Sequence, residues 1–202
     1  MKQLRCADLN SGDIMLKIYD GSIFSRVISM GQIGLANSKV VHAGVMFDSH
    51  YIIEAQASGI SANDVRVQNK DVAYIVYRAT NAAMGRGAGT CAKMLFDIHK
   101  RHGSMKYNLV GTVKTRIGGP GAPKTPEDMD TLLDTVLGGG QARLFCSQLV
   151  VYVYQFVAEQ SGVAASRVFN MSDAKASPSA LASILQRNLA FTEAGYMISN
   201  ER

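Results

Sequence analysis

Val40-Val41-His42-Ala43-Gly44-Val45-Met46-Phe47-Asp48-Ser49-His50-Tyr51-Ile52-Ile53-Glu54-Ala55 is the stretch on which the fold turns. Two apolar runs flank Asp48-Ser49-His50, and Asp and Ser favour turns because their short side chains hydrogen-bond their own backbone. The stretch predicts a β-hairpin centred on residue 49. Residues 44 and 54 then face each other, and Glu54 shares a sheet face with His42 one diagonal step away. Gln56 falls directly opposite His42. Upstream, the turn-like Asn10-Ser11-Gly12 precedes Asp13-Ile14-Met15-Leu16-Lys17-Ile18, a strand buried on at least one face. Downstream, Val65 to Val67 and Val72 to Tyr77 flank Asn69-Lys70-Asp71 and read as two more strands. The first part of the chain is therefore a mostly antiparallel sheet.

Helical signals dominate afterwards. Before the hairpin, Ile23, Phe24, Val27 and Ile28 already recur at helical spacing. Gly85 to Gly89 reads as a break, after which Cys91, Met94, Leu95 and Ile98 mark one face of a helix ending near Gly103. Gly118-Gly119-Pro120-Gly121-Ala122-Pro123 is a flexible stretch, and Thr125-Pro126-Glu127-Asp128 opens a short helix to about Leu137. Cys146 to Gln160 reads as a helix with Leu149, Val150, Val153, Phe156 and Val157 on one side and Gln148, Tyr152, Gln155 and Glu159 on the other. Ser177-Pro178 opens a last helix through Leu185, and Phe191 to Ile198 returns as a strand. The expected class is α+β, an antiparallel sheet packed against helices, with residues 1–202 as one domain.

The 202 residues are 47% hydrophobic and 18% charged, enough apolar content for one sizeable core. Twenty-one Lys and Arg against 16 Asp and Glu give +5, without the dense basic run of a nucleic-acid binder. Lys93, Lys100, Arg101, Lys106, Lys114, Arg116 and Lys124 read as a solvated basic face. Cys6, Cys91 and Cys146 form neither a disulfide framework nor a zinc pattern, so each is read as a thiol. Met1 to Asn10 lacks the apolar core of a Sec signal, and no apolar run approaches a membrane span. The expectation is a chain made in the cytoplasm, with any export left to a dedicated system.

Among the thiols, Cys146 stands at the start of a helix. Unpaired backbone N–H groups and the helix dipole there favour a thiolate, and the same N–H groups of Cys146 and Ser147 suit an oxyanion hole. The ordinary alternative is a small buried hydrophobe. Cys91 shares some first-turn advantage and is the rival thiol; Cys6, near the chain start, reads as structural. His42, inside an apolar strand, needs a partner to hold its tautomer. Glu54 is the first choice for that partner, Gln56 the second and Asp13 the third. His50 sits in a turn, and His99 and His102 complement a helix C-terminus rather than bind metal. Neither metal nor cofactor is expected.

The order of these parts is distinctive: Gly12-Asp13-Ile14, then Val41-His42-Ala43-Gly44-Val45, then Ile53-Glu54-Ala55, and far downstream Phe145-Cys146-Ser147-Gln148-Leu149-Val150, followed by Ser177-Pro178-Ser179-Ala180-Leu181. It resembles the circularly permuted NlpC-like, papain-fold cysteine hydrolases, especially the YiiX-like branch, over about Gly12 to Leu185. The resemblance implies a permuted papain-like fold, with Cys146 as nucleophile, His42 as base and Glu54 as third polar residue. Gln148 departs from the acidic residue often found two positions after that cysteine. Relatives in this group include amidases that cut peptidoglycan peptides, lipid acyltransferases and thioesterases such as lecithin retinol acyltransferase, and toxins exported by type VI secretion. The expectation drawn from it is an amidase or peptidase acting on a peptide or peptidoglycan, as a bacterial effector in a target cell's periplasm with an immunity protein as partner. A lipid-like acyl substrate, protein deamidation and a noncatalytic binding module are the alternatives. The 118 to 124 stretch is expected to act as a lid.

Overall fold

The computed structural model describes residues 1–18, 40–56, 59–68, 72–102, 146–171 and 177–199. The helical spacing at Ile23 to Ile28, the 118 to 124 stretch, the short helix from Thr125, and Lys106, Lys114, Arg116 and Lys124 lie outside them. The strands are β1 (Ile14–Ile18), β2 (Val40–Met46), β3 (Tyr51–Gln56), β4 (Gly59–Asp64), β5 (Ala73–Ala79) and β6 (Phe191–Ile198). They form one six-stranded antiparallel sheet in the order β4-β3-β2-β1-β5-β6. The β2–β3 hairpin has the register its turn dictates, with Gly44 facing Glu54 and Val45 facing Ile53. Asp48 Oδ1 accepts from the N–H groups of His50 and Tyr51, both at 2.8 Å, which is the turn chemistry of a short acidic side chain.

β1 is central and covered on both faces: Ile14, Met15 and Leu16 are all fully buried. Alternation sends Ile14 and Leu16, with Val45, Ile53 and Ile75, into a core shared with the helices. Met15, Met46, Ile52, Tyr74 and Val76 point the other way, onto Leu4, Cys6 and Leu9 of the N-terminal segment. That segment lies along β6, where Leu4 N–H donates to the Tyr196 carbonyl at 2.7 Å and Tyr196 N–H to the Lys2 carbonyl at 2.9 Å. Cys6 is thereby buried in a packed 3-10 turn.

The helices are α1 (Ala82–His102), α2 (Cys146–Gln160), α3 (Ala165–Val168) and α4 (Pro178–Leu185). α1 runs straight through the glycines expected to break it. Asn81 caps it, its Oδ1 accepting from Ala83 N–H at 3.0 Å and Met84 N–H at 3.2 Å. A methyl group at Gly89 would sit 2.7 Å from the Met46 carbonyl oxygen, and one at Gly87 2.7 Å from Val157 Cγ1. Each helical glycine costs about 1 kcal/mol relative to alanine. Here that cost is offset by bringing α1 against the sheet and against α2. Cys91 consequently lies deep in α1, not in its first turn.

Two further expectations change. Residues 59–64, not 65–67, form the strand beside β3, because Asp64 closes a turn: its backbone carbonyl accepts from Val67 and Gln68, and its carboxylate from the Arg66 N–H. α2 is buried on more than one side, since Val151, Tyr152 and Tyr154 are as enclosed as Leu149, Val150 and Val153. Sheet, α1, α3 and α4 all contact it. The start of α4 matches its sequence: Ser177 Oγ accepts from Ala180 N–H at 3.2 Å and Pro178 occupies the first helical position.

Candidate active site

β2 lies between β1 and β3, and its amides alternate between them. Met46 N–H donates to the Asp13 carbonyl at 2.8 Å on the β1 side, so the N–H groups of Ala43 and Val45 point toward β3. The β2–β3 ladder, however, ends at the Gly44–Glu54 pair. The Ala43 N–H beyond that end donates instead to Cys146 Sγ, at 3.2 Å. The sulfur at the first residue of α2 thus takes the place of a strand carbonyl where the two strands part. Cys146 is 6% exposed, buried but at the rim of the core.

His42, on the same face as Gly44, lies near enough to Cys146 for the sulfur to bear on the charge of its ring. Its Nε2 lies 3.1 Å from Glu54 Oε1. Burial alone would lower the imidazole pKa. The hydrogen bonds to Cys146 and Glu54 and the charges of both outweigh burial and raise it from the ordinary 6.5 to about 9. The imidazolium is therefore the form this environment favours at neutral pH. Glu54 itself is 2% exposed, and its Oε2 accepts from Asn63 Nδ2 at 2.7 Å. Room for its side chain comes from Gly44 across the ladder, where a methyl group would lie 2.9 Å from Glu54 Cγ.

The structure brings Cys146, His42 and Glu54 together and separates the other candidates. Asp13 opens β1, whereas the β1 residue opposite His42 is Lys17, four positions or about 13 Å along the strand. The Asp13 carboxylate is held by Arg78, with Nε at 2.7 Å from Oδ1 and Nη2 at 2.6 Å from Oδ2. Asp13 is a structural ion-pair partner, not the orienting group of His42. Gln56 pairs with Gly59 at the exposed end of β3 and makes no hydrogen bond to His42, because β2 and β3 have already diverged. The rival thiol is inert: burial pushes the Cys91 pKa up to about 12. His50 shares a hydrogen bond with Ser49, and the His99 ring packs on Gly59. Among the described residues, no group of three or more His, Cys, Asp or Glu converges as a metal cage. No helix among them is long and apolar enough to cross a membrane.

Sequence reasoning missed three contributors: the Ala43 amide, the clearance at Gly44, and Asn63. The first two require knowing where the ladder ends and how side chains pack. Asn63 had a signal, since Ser61 and Asn63 alternate at strand spacing and would have fallen on the Glu54 face had residues 59–64 been read as β4. The chain matches no family model, no curated protein and no solved structure.

Proposed function

We propose that the chain is a cysteine hydrolase on a circularly permuted papain-like fold of the NlpC type, cleaving an amide bond through Cys146, His42 and Glu54. The observation that carries this reading is the Glu54 carboxylate 3.1 Å from a His42 ring whose charge is also favoured by the sulfur of Cys146 in α2. Supporting the fold reading are the antiparallel sheet and the placement of the cysteine helix against β2 and β3.

In this mechanism His42 holds the proton of the Cys146–His42 pair, and the sulfur attacks the amide carbonyl, forming a carbon–sulfur bond. Negative charge moves to the carbonyl oxygen, where the backbone N–H groups of Cys146 and Ser147 hold it. Collapse of this intermediate breaks the carbon–nitrogen bond as the imidazolium gives its proton to the departing amine. His42 then deprotonates a water that hydrolyses the thioester and restores the thiol. Glu54 keeps the ring aligned and stabilises its cation throughout. The substrate proposed is a peptide, specifically a peptidoglycan stem peptide. The setting proposed is that of a bacterial effector acting in a target cell's periplasm and neutralised by an immunity protein.

The test compares purified wild type with Cys146→Ala on muropeptides, fatty acyl esters and glutamine-containing proteins. Muropeptide cleavage that falls on the order of a thousandfold in the variant supports the reading. Fatty acyl release or deamidation would reassign the substrate. Alkylation of Cys146 no faster than that of Cys6 and Cys91 across pH would reject the enzyme in favour of a binding module. Directed to the bacterial periplasm, the wild type should harm cells and Cys146→Ala should not.

A further inference from the structure

A carboxylate as enclosed as Glu54 remains ionised only if donors replace the water it has lost. One oxygen faces His42 Nε2 at 3.1 Å; the other accepts from Asn63 Nδ2 at 2.7 Å. Asn63 reaches it from β4, a diagonal step across the β3–β4 ladder, in which Ile52 faces Asn63 and Glu54 faces Ser61. The same Nδ2 lies 3.3 Å from Ser61 Oγ, so the side-chain amide is turned with its nitrogen toward the carboxylate.

Two other polar residues among those described share this sheet face. Tyr74, on β5 and close enough to feel the Glu54 charge, has a buried hydroxyl without a hydrogen-bond partner. Lys17 pairs with His42 across the β1–β2 ladder. Among the described residues, the titratable groups that act on the imidazole are Cys146 from α2 and Glu54 from β3, and Lys17 of β1 pairs with His42 in the ladder.

We propose that Asn63 is a positioning residue for the catalytic group: its amide donates to Glu54 Oε2, keeps that carboxylate ionised, and holds Oε1 against His42. This rests on the reading of Cys146, His42 and Glu54 given above. The Asn63 amide bonds Glu54 and Ser61, so in this proposal its influence reaches the chemistry through the orientation and charge of His42. Without the amide donor, Glu54 Oε1 is no longer held against the ring, and the His42 cation loses its aligned anion.

The experiment follows His42 ring protons by NMR, and the alkylation rate of Cys146 by iodoacetamide, from about pH 5 to about pH 10. It uses the full chain as wild type, Asn63→Thr, Asn63→Ala and Glu54→Gln. Threonine favours a strand and lacks the reach of the amide, so Asn63→Thr separates the hydrogen bond from the stability of β4. Both Asn63 variants should lower the His42 midpoint by about one unit or more and slow Cys146 alkylation near pH 7 several-fold. A midpoint unchanged in Asn63→Thr while Glu54→Gln lowers it overturns the positioning role and leaves the catalytic group intact. A midpoint unchanged in Glu54→Gln rejects the catalytic group itself. Loss of folding in both Asn63 variants but not in Glu54→Gln also counts against the proposal, because it would assign Asn63 to the integrity of the strand.

Discussion

Gly44→Ala adds one methyl group and tests how the site is kept open. The new carbon would lie 2.7 Å from both Cδ1 and Cγ1 of Ile52 and 2.9 Å from Cγ of Glu54. Carbon atoms rest at about 3.5–4.0 Å, so each neighbour must retreat by roughly 1 Å. Ile52 is fully buried against Met46, Tyr74 and Val76 and cannot yield without disturbing that core. Overpacking of this kind costs about 1–3 kcal/mol. A retreat of Glu54 by the same displacement lengthens its 3.1 Å contact with His42 to about 4 Å, beyond hydrogen-bond reach. A catalytic group misplaced by this distance loses up to about a hundredfold in rate. The assay pairs thermal unfolding with the pH profile of Cys146 alkylation, in Gly44→Ala and in Gly44→Ala/Ile52→Ala, where the truncated isoleucine leaves room for the methyl group. The single variant should melt lower and show a lowered His42 midpoint; the double variant should recover the midpoint. Gly44→Ala with wild-type melting and an unshifted midpoint would refute the packing argument.

Three other outcomes follow from the geometry. Because amide cleavage needs the His42 cation to protonate the departing amine, and its pKa is raised to about 9, kcat/KM should hold through neutral pH and fall with an alkaline limb near 9; a limb near 6.5 would contradict the paired imidazole. Arg78→Ala strips the partner from the buried Asp13 carboxylate and should destabilise the fold by about 3 kcal/mol, or roughly 6–12 °C in Tm. Alkylation of Cys146 in the folded fraction should be unaffected by that change. Cys91, whose thiol burial pushes up to about 12, should react with iodoacetamide only on unfolding, as mass spectrometry of native and denatured samples would show.

The hairpin was legible because turn chemistry and strand alternation agree: Asp48 closes the turn, and once its centre is known the Gly44–Glu54 register and the shared face of His42 and Glu54 follow. β4 was not legible, since Gly59-Ile60-Ser61-Ala62 has little strand preference and pairs because β3 offers a ladder, whereas the strand-favouring Val65 and Val67 are carried into a turn by Asp64. The front of α1 was hidden for the opposite reason. Gly85, Gly87 and Gly89 look like breakers locally, yet the close contacts with Ser11, Val157 and the Met46 carbonyl exist only in the folded chain. α2 was read with a polar side because Tyr152 carries a hydroxyl, but ring area governs its burial. For the candidate site, residue type and position put Cys146 ahead of Cys91 and Glu54 ahead of Gln56 and Asp13 without settling either choice, whereas the backbone donor at Ala43 leaves no trace in side-chain identity.

A peptide N–H that serves a sulfur and not a neighbouring strand is a built-in gauge of what that sulfur carries. While the thiol or thiolate is free, the Ala43 amide has its acceptor and should exchange its hydrogen with solvent slowly. Once an acyl chain or an alkylating reagent caps the sulfur, the acceptor weakens and the same proton should exchange faster, with the neighbouring Val45 amide as internal reference. Occupancy of the nucleophile can thus be read at one backbone position without a substrate assay.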